Sequence, residues 1–165
     1  MQTEEPMKNI IILAVVAVVV YFGFINSTNK NFMFNGEEYN ITRTEGKNGF
    51  YKYHYTTSGQ DTGSNDFIEI LKFEKSEVDP NQVRKTASII QKAYNTDYVA
   101  GTQGQFGVFG PNKDKFAYTI DSETGKAYWF INYVLQSRSI DYKKAKTSSV
   151  SNINNLETLL SDLSN

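Results

Sequence analysis

The chain has 165 residues, with 17 Lys and Arg against 18 Asp and Glu and a formal net charge of −1. That balance argues against a general nucleic-acid binder, which needs a concentrated basic face to displace counterions. The absence of cysteine excludes disulfides, thiolate catalysis and cysteine-based metal sites together, and 11 Tyr and 11 Phe point to sheet.

Ile10 to Ile25 is an unbroken apolar run, framed by Lys8-Asn9 and by Asn26-Ser27-Thr28-Asn29-Lys30. As a helix it covers roughly 24 Å, and its uncharged flanks supply the rest of a bilayer crossing. We read residues 1–9 as a short cytoplasmic tail and 10–28 as a single transmembrane anchor, with Ile10, Leu13, Val16, Val20, Phe24 and Ile25 in contact with membrane lipid. A cleaved leader needs a positive start and small residues behind its core. Here Glu4 and Glu5 precede the one lysine, and Tyr21, Phe22, Phe24 and Ile25 are bulky, so an anchor that stays is the better reading. Lys8 and Lys30 balance under the positive-inside rule. The short tail therefore decides the orientation, which puts the C-terminal domain outside the cytoplasm at the cell membrane. Asn26 and Asn40 head N-x-[ST] triplets, which matter only in a host that glycosylates.

Residues 30–136 read as one domain. Asn35-Gly36 between apolar stretches predicts a type I′ hairpin joining strands over 31–35 and 38–44. A turn over 46–49 leads to a strand from Phe50 to Thr57, where Tyr51, Tyr53 and Tyr55 share the packing face and Lys52 and His54 the face toward water. After a polar loop over 58–66, Phe67 to Phe73 forms the next strand. Asp79 as N-cap, Pro80 at the first helical position and Gln82 three residues on predict a helix over 80–95. Its apolar stripe is Val83, Ala87, Ile90 and Tyr94, widened by Ile89 and Ala93. Strands over 105–109, 115–120 and 126–136 follow, separated by turns at 110–114 and 121–125. The segment from Tyr128 to Leu135 is apolar on both faces, which marks a central strand.

Residues 137–151 are basic and serine-rich (Arg138, Lys143, Lys144, Lys146) and read as a linker. Residues 152–165 read as a C-terminal amphipathic helix whose stripe, Ile153, Leu156, Leu159, Leu160 and Leu163, is too short to stand alone. We expect it to dock, either on another face of the domain or on a protein partner.

No motif carries chemistry. His54 is the lone histidine, and a single imidazole does not make a histidine metal site. Asp61, Asn65 and Asp66, and Asp121, Ser122 and Glu123, lack the spacing of a calcium loop. Gly101, Gly104, Gly107 and Gly110 follow a helix where a phosphate loop follows a strand. The serines have no nucleophile elbow, and Glu69, Glu74 and Glu77 read as a strand-end charge cluster. We assign no catalytic, cofactor or metal residue.

The order from an aromatic strand (Tyr51, Tyr53, Tyr55) through Gly59-Gln60, Phe67-Ile68-Glu69 and a capped helix to Ala127-Tyr128-Trp129 resembles the PsbP-like and DcrB-like α/β sandwich family over residues 48–136. The resemblance implies a non-catalytic extracytoplasmic domain that binds or stabilises a membrane assembly; it implies no site residue.

The expectation is thus an α+β ectodomain: an antiparallel sheet of six or seven strands with one packed helix, preceded by a single N-terminal transmembrane helix and followed by a short C-terminal helix. Its expected role is a non-enzymatic binding or assembly module of the cell envelope, with a protein partner and no nucleic acid. The alternative is a small-ligand sensor or a carboxylate-based envelope enzyme built on a sheet-edge pocket.

Overall fold

The computed structural model describes residues 31–164 apart from 61, 64 and 137–139. The tail, the apolar run and Asn26 lie outside these residues. Among the described residues no helix is long and apolar enough to cross a membrane.

Two four-stranded meanders lie side by side. The first is β1 (Phe32–Phe34), β2 (Glu37–Lys47), β3 (Phe50–Thr56) and β4 (Phe67–Glu74); the second is β5 (Thr96–Tyr98), β6 (Gln105–Phe109), β7 (Lys115–Glu123) and β8 (Ala127–Leu135). They join by antiparallel pairing of β4 with β8, in the order β1-β2-β3-β4-β8-β7-β6-β5. Helix α1 (Pro80–Tyr94) carries the chain from the middle of the sheet to its far edge, and α2 (Tyr142–Thr147) and α3 (Ser149–Ser164) follow β8. The sheet is curled into a half-barrel. Phe34 of β1 therefore meets Tyr133 of β8 at 4.9 Å between ring centroids, although three strands separate them in the sheet.

Each face has its own core. Tyr53, Tyr55, Ile68, Ile70, Tyr118, Ile120, Trp129, Ile131 and Tyr133 alternate onto the concave face and pack with Ile153, Leu156, Leu159 and Leu160 of α3. Leu71, Phe73 and Phe130 on the convex face pack with Val83 of α1, while Ala87 and Ile90 close around them. Local chemistry sets the ends of α1: Asp79 Oδ1 accepts from Asn81 N at 2.9 Å, and Asn95, left-handed at φ 49, stops the helix.

The expected fold class needs correction in both strands and helices. The sheet has eight strands, not six or seven. The added strand is β5, three residues that the left-handed Asn95 turns back alongside β6. Among the described residues three helices, not one packed helix and a short tail, belong to the domain. Within the segment read as a linker, Asp141 caps α2 by accepting from Lys144 N at 2.8 Å, and α3 has begun at Ser149. Ile89, expected to widen the stripe of α1, is exposed.

Candidate functional site

The C-terminal stripe packs on the domain's own sheet. Ile153 and Leu156 are fully buried, Leu159 and Leu160 nearly so, and Leu163 packs at the border of the same concave core. Tyr118 Oη ties the preceding helix to the sheet by donating to the Ala145 carbonyl at 2.9 Å. Docking on the domain's own sheet thus answers the stripe's need for a partner. Asn40 lies half-buried on β2, paired with Thr56.

The convex face holds a row of polar side chains that the register aligns across the sheet: Arg43, His54, Glu69, Asn132, Thr119 and Gln105 sit opposite one another on successive strands. Strand alternation placed His54 on the correct face, yet the side chain is buried rather than wet, with its ring 4.6 Å from that of Phe67. Glu69 accepts from Lys52 Nζ at 2.7 Å, Asn132 Nδ2 lies 3.4 Å from Glu69 Oε1, and Thr96 Oγ1 donates to Gln105 Oε1 at 2.6 Å. Burial, with Glu69 adding repulsion, pushes the Tyr94 phenol above its ordinary range. Where α1 covers the row, Asn132, Thr119, Gln105 and Gln91 line a cavity of about 20 Å³, room for one water-sized group. No set of three or more His, Asp or Glu side chains among the described residues could hold a metal ion. Asp66 Oδ1, one of the loop carboxylates, instead accepts from Gln136 N at 2.7 Å at the end of β8.

A larger opening lies elsewhere, between the β5–β6 edge and the helices that follow β8. It is a groove of about 510 Å³ with Phe106, Val108, Val99 and Ala100 as its apolar lining. Asp97, Tyr98, Tyr142 and Lys146 bring polar ends to it. Local structure builds each wall. The turn after β5 is held by Val99 N donating to Gly104 O at 3.0 Å and by Thr102 N donating to Val99 O at 3.1 Å. The Asp141 cap places Tyr142 at the start of α2, and Lys146, one turn on, shares its face. Lys146 Nζ lies 5.5 Å from the Tyr142 ring centroid, and that ring is 6.2 Å from Phe106. Tyr98 and Tyr142 are 72% and 50% exposed, large apolar surfaces left in water at one place. The groove carries one carboxylate and one ammonium, which form no ion pair with each other among the described residues.

The sequence assigns none of these residues to a site: it places Phe106 and Val108 on a strand and Lys146 in a linker, and it lacks both elements, β5 and α2, that bring the groove together. The usable signals were Asp141 three residues before Lys144, an N-cap spacing, and Asn95 directly behind the last apolar residue of the helical stripe.

Comparison with protein-family models, with curated proteins and with solved structures finds no match to this chain.

Proposed function

We propose that the chain is a membrane-anchored, non-enzymatic binding or assembly module of the cell envelope, crossing the membrane once with its C-terminal domain outside the cytoplasm, and that the β5–β6 groove is its working surface. The observation that carries this reading is the joint exposure of Tyr98 and Tyr142 at one groove. Tyrosine supplies large contact area with few rotatable bonds, and exposed aromatic side chains gathered in one place mark interaction sites. The apolar run from Ile10 to Ile25 supports the anchored placement. A small-ligand sensor is the second reading. The groove volume favours it, since about 510 Å³ falls within the range of ligand cavities. A carboxylate-based enzyme has less support, because Asp97 is the one acid among the described residues that line the groove.

The test is retention of the full-length protein, in detergent, on lipid-depleted envelope material from its own host. We expect the wild-type chain to be retained and the double variant Tyr98→Ala/Tyr142→Ala to lose about tenfold in affinity. Ile89→Ala, which truncates an exposed side chain on α1 away from the groove, should bind as wild type does. Absence of retention, or equal retention of all three proteins, would overturn the proposal.

A further inference from the structure

We infer that the β5–β6 groove recognises a neutral saccharide, a short run of pyranose rings; this rests on the reading of the groove as the working surface. The charges on the lining come first. Among the described lining residues Asp97 and Lys146 cancel, so these residues give no net attraction for a strongly ionic ligand. A cationic ligand would meet Lys146, which already lies over the Tyr142 ring at 5.5 Å. An anion would meet Asp97. A wholly apolar ligand would cover both charged side chains without pairing either.

A pyranose avoids each of these penalties. One face of the ring presents C–H groups that lie flat on an aromatic side chain, and two phenol rings stand exposed at the groove. The edge presents adjacent hydroxyls. A carboxylate such as Asp97 accepts from two of them, an ammonium such as Lys146 donates to a hydroxyl or ring oxygen, and the two phenolic hydroxyls do either. Phe106 and Val108 give the apolar floor. An extended peptide is the weaker fit. Strand addition needs a long open edge, whereas β5 has three residues and the chain just beyond it turns back to bond Gly104 O.

The probes are maltotriose and N,N′,N″-triacetylchitotriose, titrated into the full-length protein in a detergent without a sugar headgroup and followed by saturation-transfer NMR and calorimetry. We expect at least one trisaccharide to bind, with saturation transfer strongest at ring C–H protons. Tyr142→Ala and Asp97→Asn should each weaken binding about tenfold. Tyr142→Phe, which keeps the ring, should stay within about threefold of wild type. Both side chains are exposed, so an unchanged circular dichroism spectrum will show that the variants fold.

If envelope retention depends on Tyr98 and Tyr142 but neither trisaccharide binds, the saccharide inference falls and the binding reading stands. The same holds if retention is abolished by protease treatment of the envelope material, since the partner is then a protein. Without retention or trisaccharide binding, both fall. Equal trisaccharide binding by wild type, Tyr142→Ala and Asp97→Asn would place any saccharide site outside this groove and overturn the inference.

Discussion

Asn35 Nδ2 donates a 2.8 Å hydrogen bond to Asn152 Oδ1, so the turn between β1 and β2 is clasped by a helix 117 positions later in the chain. Asn155 Nδ2 returns a bond of 2.6 Å to Asn35 Oδ1. The clasp depends on local chemistry, since Asn35 and Gly36 have φ of 52 and 80, the left-handed pair that a type I′ turn requires. One side chain therefore serves both the turn and the packing of α3. Asn35→Gly keeps the turn but removes both bonds, and we expect a loss of about 1–2 kcal/mol in urea unfolding. Asn35→Ala removes both bonds and also asparagine's tolerance of the left-handed region, so it should cost more than Asn35→Gly, by roughly 1 kcal/mol. Equal stability of Asn35→Gly and wild type would show that the clasp contributes nothing.

The concave core makes a second prediction, because the leucines of α3 differ in burial along one stripe. Leu156 is fully buried, whereas Leu163 is partly exposed at the border. Leu156→Ala should cost about 2–5 kcal/mol and Leu163→Ala less than about 1 kcal/mol, both by urea unfolding. A stripe built for a partner would make both substitutions neutral in the isolated protein. A chain ending at Ser151 loses Ile153, Leu156, Leu159 and Leu160 together, so we expect it to lack a near-ultraviolet circular dichroism signal and a cooperative melt.

These packing relations separate what the residues alone disclose from what they conceal. Asn35-Gly36 and the Tyr51, Tyr53, Tyr55 alternation are local signals, so the hairpins and the faces of β3 are legible. The two-sided apolarity of Tyr128 to Leu135 was enough to put β8 inside the sheet, where it lies between β4 and β7. By contrast β5, Thr96-Asp97-Tyr98, has no apolar period and exists because β6 offers it a partner. Helix α2 buries Ala145 alone, so its exposed lysines read as linker. The groove needs both elements, which is why it was invisible. His54 shows the same limit: alternation gives its face, but only the neighbouring strand supplies Phe67 to cover it.

Close approach of α1 to the sheet leads to a third prediction. A β-carbon at Gly107 would overlap the Tyr94 carbonyl oxygen and lie 2.7 Å from Thr96 Cγ2, so the end of the helix rests directly on β6. Gly107→Ala must push that end away, and we expect a loss of about 1–3 kcal/mol by thermal or urea melting. Gly125→Ala is the control: nothing lies within 4 Å of its added carbon, and the effect should stay within about 0.5 kcal/mol. Similar effects from the two substitutions would show that the contact yields without strain.

The buried phenols predict how stability falls at high pH. Burial pushes Tyr55, Tyr94 and Tyr118 above the ordinary tyrosine value of 10.0, with Tyr53 adding to the shift at Tyr55 and Glu69 at Tyr94, while hydrogen bonds with Ser148 and Asn152 oppose it at Tyr118. The unfolded chain then releases these protons near pH 10 while the folded chain keeps them. Above pH 10 the unfolded state binds fewer protons, so stability must decrease as pH rises; below pH 10 these groups leave it unchanged. Each phenol held protonated adds up to about 1.4 kcal/mol per pH unit to that fall. Urea midpoints measured from pH 8 to 11.5 should therefore be flat at first and then drop. Tyr94→Phe removes one of the three protons and should make the alkaline limb shallower. An alkaline limb of the same slope in that variant would exclude the Tyr94 phenol as a source of the pH dependence.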